Sequence, residues 1–165
     1  MTDPRTMLSF LTGTHRFNYR VAGVAMRDNH VLVCREDDDD FVMLPGGRVE
    51  LGETSEIALH REIGEELQCM GQIDRLLFTA ENFFTRSGEQ FHEIGLYYAI
   101  TLPKNFPFET DRPSLTTHDE GHILTFEWVH AHEEVLTPLN LLPEWIRPRF
   151  ANLPNIPDHL IVDER

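Results

Sequence analysis

Cysteine is scarce in this chain: Cys34 and Cys69 are the only two among 165 residues, and their spacing is not that of a metal-binding pair. That excludes a disulfide framework and makes a reduced, cytoplasmic setting the expectation. Lysine is scarcer still. Lys104 stands alone, so any phosphate the protein holds is gripped by arginine forks, by backbone N–H groups or through a cation. Long hydrophobic runs are missing too. The early apolar stretch 7–11 is too short for a signal segment and far too short to span a bilayer. Net positive charge is absent: the formal value of −14 excludes duplex nucleic acid and anionic membrane as expected partners. A small anionic substrate reached through a cation remains compatible with it.

What is present fits one soluble domain. The apolar share of 41% and charged share of 25% are those of a globular protein, and 165 residues suffice for a full core. A single domain over residues 1–165 is expected, with an N-terminal arm at 1–14 and a C-terminal tail at 151–165. Residues 16–26 and 30–35 are rich in strand formers around Asp28-Asn29, which predicts a hairpin. The acidic run 36–40 reads as a solvated tip, and 41–44 as a short strand. Two longer strands, 73–84 and 90–102, are joined at Arg86-Ser87-Gly88-Glu89. The stretch 104–117 reads as a long loop, 122–130 as a strand, and 136–150 as a helical segment cut by Pro143 and Pro148.

The rest of the chain is organised around residues 45–70. Pro45-Gly46-Gly47-Arg48 is a glycine loop that feeds a helix, with Thr54 or Ser55 as cap and Glu53 and Glu56 against its positive end. On that helix Leu59, Ile63 and Leu67 form a core stripe. Beside them Glu62, Glu65 and Glu66 stand at i, i+3 and i+4, within one arc. Like charges so spaced each cost a helix a few tenths of a kcal/mol, roughly, and no lysines offset them. A hard divalent cation would, since Mg²⁺ and Mn²⁺ take carboxylate oxygens together with substrate phosphates. A solvated acidic face is the plainer reading of such a cluster standing alone.

It does not stand alone. Gly47, Glu53, Arg61, Glu62, Ile63, Glu65 and Glu66 fall at the spacing of the Nudix box, and the stretch resembles that family's signature. Gln68 departs from it, standing where the family usually has glycine, and Cys69 replaces a larger aliphatic. A helix running on toward Gly71 is therefore expected. The resemblance implies an α/β fold, an α/β/α sandwich built on a mixed β-sheet. It implies a metal-dependent hydrolase that cleaves a phosphoanhydride bond in a nucleoside diphosphate linked to another group, with Mg²⁺ or Mn²⁺ as cofactor. The metal ligands it implies are Glu62, Glu65 and Glu66 with the Gly46 carbonyl, while Arg61 and Glu53 hold them in position. Glu65 or Glu120 is the candidate proton acceptor, Glu120 being the first choice for an extra carboxylate and Glu93 the second. Many family members pair, so a homodimer is compatible.

The resemblance implies a small nucleotide-type substrate, with Arg48, Phe83, Phe84 and Glu93 as candidate contacts. Phe91 and Trp128 are further aromatics for stacking, although core packing accounts for most such rings. No proline stands about sixteen residues beyond the box, where many ADP-ribose hydrolases carry one; Phe84-Thr85 is there instead. The histidine pairs His118/His122 and His130/His132 lack the further ligands of a zinc site. There is no Gly-x-Ser-x-Gly elbow and no lysine after a glycine loop. Two other classes remain beside the hydrolase: a non-catalytic binding module on the same fold, which has no evident need of three mutually repelling carboxylates, and a structural domain, which leaves the glycine loop unexplained.

Overall fold

The computed structural model describes residues 5–165, so the first four residues of the expected arm lie outside it. Strand β1 (Ser9–Thr12) returns into β2 (His15–Arg27), which turns at Asp28-Asn29 into β3 (His30–Glu36). Both turn residues have positive φ, 47° and 60°, the backbone a tight two-residue hairpin requires. The short strands β4 (Val42–Met43) and β5 (Gly46–Arg48) lead to helix α1 (Ser55–Leu67). Then come β6 (Gln72–Arg86), β7 (Glu89–Thr101), β8 (Leu115–Asp119), β9 (His122–His130), a one-turn helix α2 (Glu133–Leu136), β10 (Leu141–Leu142), a 3-10 helix (Glu144–Ala151) and β11 (Asp158–Asp163).

The sheet is mixed, in the order β10-β4-β3-β2-β7-β6-β11, with β9 on β3, β8 on β9, and β1 and β5 on β2. Strand β2 runs parallel to β7, whereas β6 and β7 form a long antiparallel pair. Alternation along the strands sends side chains to two cores. On one face α1 buries Leu59, Ile63 and Leu67 with Val21, Phe126 and Trp128. On the other, Leu136, Leu141, Ile146 and Phe150 cover Ala22, Val24, Phe78 and Tyr97. This is the layered arrangement expected, its second helical layer reduced to one turn and a 3-10 segment. No helix among the described residues is long and apolar enough to cross a membrane.

Several local expectations are corrected. Helix α1 does not run on: it ends at Leu67, and Gln68 takes the left-handed conformation at φ 53°, ψ 33°. The glycine conformation is kept without the glycine, at a cost of roughly 1 kcal/mol. The stretch 136–150 is not one interrupted helix, because Pro143 and Pro148 cannot donate to a helical ladder; strand β10 and the 3-10 helix take its place. The tail at 151–165 contains β11, paired in parallel with β6 and contributing Leu160 to the second core. Strand β8 begins inside the expected long loop, and Glu120-Gly121 is the turn joining it to β9.

Candidate active site

The glycine loop is shaped by two close approaches. Gly46 has φ 143°, and a Cβ there would stand 2.2 Å from the Val21 carbonyl oxygen, so only glycine lets β5 lie this close to β2. A Cβ on Gly47 would instead stand 2.4 Å from the Glu62 carboxyl carbon. The helix carboxylate rests directly on the loop. Thr54 caps α1 by accepting the Ile57 N–H, and the core stripe turns Glu62 and Glu66 inward beside it.

Arg61 is the hub of the acidic arc. Its guanidinium donates to Glu53 at 2.8 and 2.9 Å, to Glu62 at 2.7 Å, to Glu65 at 3.3 Å and to the Arg48 carbonyl at 3.1 Å. Glu53 also accepts the Glu50 N–H, which fixes the turn before the helix. Glu53 is held below the usual carboxylate range, first by its hydrogen bonds from Arg61. From the arm, Arg5 bridges Glu50 at 2.6 Å and Glu65 at 3.0 Å.

Glu62 and Glu66 are less well served. They are 9% and 8% exposed. Burial raises Glu62, opposed by its hydrogen bond from Arg61. Burial, and then the charge of Glu62, push Glu66 up to about 8; the Gly46 N–H, donating at 3.0 Å, is the one hydrogen bond to its carboxylate among the described residues. Two carboxylates buried side by side, of which only Glu62 is paired with an arginine, have oxygens to spare and too little positive charge. That donor set fits a hard divalent cation.

Beside the box lies a cleft of about 800 Å³, nucleotide-sized. Arg20 on β2 and Arg48 on β5 are cross-strand partners at its edge. Arg20 acts electrostatically on both Glu62 and Glu66, and Arg48 adjoins Gly47, so cleft and box are continuous. Glu62, Glu65 and Glu66 themselves do not line the cleft. Its floor is a polar row, Asn18, Glu93 and Asn82, abreast on β2, β7 and β6. Its walls include Phe84, stacked on Phe91 at 4.7 Å, and Trp145 of the 3-10 helix.

The expected residues distribute unevenly. Gly46, Glu53, Arg61, Glu62, Glu65 and Glu66 come together as one cluster, and Arg48, Phe84 and Glu93 line the cleft. Phe83 reaches the cleft's edge, but its ring stacks on His92 at 4.5 Å, on the sheet face opposite Glu93. Glu120 is exposed on its turn and acts electrostatically on Arg48, while the neighbouring Asp119 acts on Glu66. Trp128 is no cleft residue: it is buried in the first core and donates to the Pro107 carbonyl at 2.9 Å. Arg20, Asn18, Asn82, Trp145 and the clamp from Arg5 were not anticipated. A signal for the strand residues existed, since Asn18 and Arg20 alternate in phase with the apolar Ala22 and Val24.

The acidic tip 36–40 is partly tied down. His122 meets Asp37 at 2.7 Å, and Glu36, Asp37 and His122 bring ligand-type atoms within 4.8 Å of one another. The group is largely exposed.

A model of the NUDIX domain matches residues 17–152. A MutT-like protein of Streptomyces ambofaciens is 40% identical over 63 residues, 38% of this chain and 41% of that protein. An ADP-ribose pyrophosphatase of Methanocaldococcus jannaschii is 40% identical over 60 residues, 34% of this chain and 36% of that protein. The aligned stretches thus span about two fifths or less of the curated relatives. A solved structure described as a UDP-X diphosphatase superposes with a TM-score of 0.60 at 17% identity, covering 92% of this chain and 68% of that one, a likeness of fold.

Proposed function

The chain belongs to the NUDIX family, and on that premise we propose that it hydrolyses a phosphoanhydride bond in a nucleoside diphosphate linked to another group, with a divalent cation. The observation that carries the reading is the Arg61-centred carboxylate cluster continuous with an arginine-edged cleft. Glu62, Glu65 and Glu66, with the Gly46 carbonyl, would hold Mg²⁺ or Mn²⁺, which supplies neutralisation of the diphosphate and of charge developing on the leaving oxygen.

The chain's own groups do the rest. Arg20 and Arg48 hold the phosphates with planar donor forks. Arg61, itself fixed by Glu53, keeps the Glu62 and Glu65 carboxylates aimed along one side of α1. Glu65 or Glu120 accepts the proton of the attacking water; both are carboxylates within the site's electrostatic reach and open to solvent. The dry setting of Glu62 and Glu66 keeps bulk water from screening the charges that bind substrate.

The test is release of phosphate or nucleotide from nucleoside triphosphates, nucleotide sugars, ADP-ribose and dinucleoside polyphosphates, with Mg²⁺, Mn²⁺ or EDTA. Cleavage of one class that EDTA abolishes is the expected result. Silence across the panel, in a protein whose melting temperature still rises with Mn²⁺, would overturn hydrolysis in favour of a binding module.

A further inference from the structure

The cleft floor holds polar groups that the hydrolytic reading does not use. Glu93 is 9% exposed and accepts one hydrogen bond among the described residues, a long one of 3.4 Å from Asn82 Nδ2. Asn82 is itself 3% exposed, and its orientation is fixed from behind, because Trp145 Nε1 donates to its Oδ1 at 3.0 Å. With the oxygen engaged there, the Asn82 amide can only present its NH₂ to Glu93. The carboxylate is thus steered from one side and left with open lone pairs on the other. Beside it, the Tyr97 hydroxyl is fully buried in the lining of the same cleft, against Asn82, and makes no hydrogen bond of ordinary geometry among the described residues. Asn18 stands opposite Glu93 in register and spends its Oδ1 on the Ser9 hydroxyl at 2.6 Å.

Buried acceptors left unpaired are costly, and a site built of them rejects ligands that cannot pair with them. A carboxylate only accepts, so its complement is an edge with two adjacent N–H donors. Among the nucleobases that edge is guanine's, which sets the N1–H beside the 2-amino group. Adenine and cytosine place a ring-nitrogen acceptor next to their amino group, and uracil sets its one N–H between two carbonyls. Each of these turns a lone pair toward a Glu93 oxygen. The aromatic walls, Phe84 with Phe91 and Trp145, supply flat surfaces suited to a base.

We propose that Glu93, steered by Asn82 and flanked by the Tyr97 hydroxyl, is a specificity-determining residue that reads a guanine edge, so that the cleft selects guanine nucleotides. The inference rests on the reading of the cleft as the nucleotide site, and it does not require turnover.

The experiment is calorimetric binding of GMP, AMP, CMP and UMP, without divalent cation, to the wild type, Glu93→Gln and Tyr97→Phe. GMP binds about tenfold or more tightly than the other three to the wild type. Glu93→Gln, which swaps one acceptor for a donor, loses that preference, while its melting temperature stays close to that of the wild type. Tyr97→Phe stays folded and weakens GMP about threefold or more, because it removes the buried polar neighbour that helps hold Asn82 and Glu93 in place. Should Glu93→Gln fail to fold, Tyr97→Phe decides, and unchanged GMP affinity there overturns the proposal. Equal affinity for the four nucleotides, no binding of any at millimolar concentration, or a guanine preference that survives Glu93→Gln also overturns it. Guanine-selective binding in a protein that hydrolyses nothing leaves this inference standing and defeats the hydrolase reading. Turnover without base preference does the reverse.

Discussion

The carboxylate cluster and the cleft touch at Gly47 and Arg48, yet they are built in opposite ways. The cluster draws on residues 46–66, one loop and one helix, and its geometry follows from helical spacing and a single arginine. The cleft gathers residues from Asn18 to Glu164 across β2, β5, β6, β7 and the 3-10 helix. The first holds charge of one sign at high density, with Arg61 as its main counterweight. The second sets arginines at the edge and neutral or singly acidic groups on the floor. A local constellation can concentrate charge because the helix fixes the spacing. A non-local one discriminates, because sheet register brings unlike groups abreast.

The comparison is tested most severely at Glu66. Glu66→Gln removes a ligand-type oxygen from the cluster and touches nothing on the cleft floor. Turnover is expected to fall by more than about a hundredfold, beyond the usual cost of losing an outer partner of a metal ligand. Nucleotide monophosphate affinity is expected to hold. Steady-state kinetics beside calorimetry read the two separately, and a variant with full turnover would remove Glu66 from the cluster's chemistry.

The two adjacent glycines sharpen the contrast. Gly46→Ala sets a methyl against the β2 backbone and forces a side chain onto φ 143°, so the fold is expected to lose about 3 kcal/mol. Gly47→Ala runs first into the Glu62 carboxylate, the end of a side chain rather than backbone. It is expected to melt within about 3 °C of the wild type, while turnover drops roughly ten- to a hundredfold through a misplaced ligand. Equal melting temperatures for the two variants would show that the loop does not divide its labour in this way.

Smaller effects follow at the edges of the two regions. Gln68→Gly relieves the left-handed C-cap of α1 and is expected to stabilise by about 0.5–1 kcal/mol in denaturant titration, with turnover unchanged. At the cleft wall, the His122–Asp37 contact ties the loop that carries Asp39, Asp40 and Phe41. The hydrogen bond from His122 lowers Asp37, and the same bond raises His122. The raised histidine contributes below its ordinary value, about 6.5, and loses that as pH rises through its folded value; the lowered carboxyl contributes above about 3.8 and loses that as pH falls. The pair is therefore expected to hold best between those limits. An NMR titration should place His122 above 6.5 in the wild type and lower it toward 6.5 in Asp37→Asn, with Glu36 still holding it up.

How much was legible depended on how far apart the cooperating residues lie. The hairpin at Asp28-Asn29, the long β6–β7 pair, the capped helix and its core stripe were readable because each is fixed within a few residues by turn chemistry or periodicity. The end of α1 was misread because local propensity disfavours a left-handed glutamine, yet the chain turns at Gln68 to enter β6 at Gln72. Strand β11 was missed because six residues bearing two aspartates and a histidine carry little strand signal until β6 offers them an edge.

By itself, then, the sequence determined the loop-and-helix cluster: which carboxylates share an arc, which arginine lies one turn away, and which glycine loop feeds the helix. Tertiary structure alone decided that Arg20 faces Arg48, that Asn82 and Glu93 stand abreast with Trp145 behind them, and that Trp128 serves the core. Helical spacing is a property of the chain, but which strands lie side by side, and in what register, is settled only when the two cores are buried together.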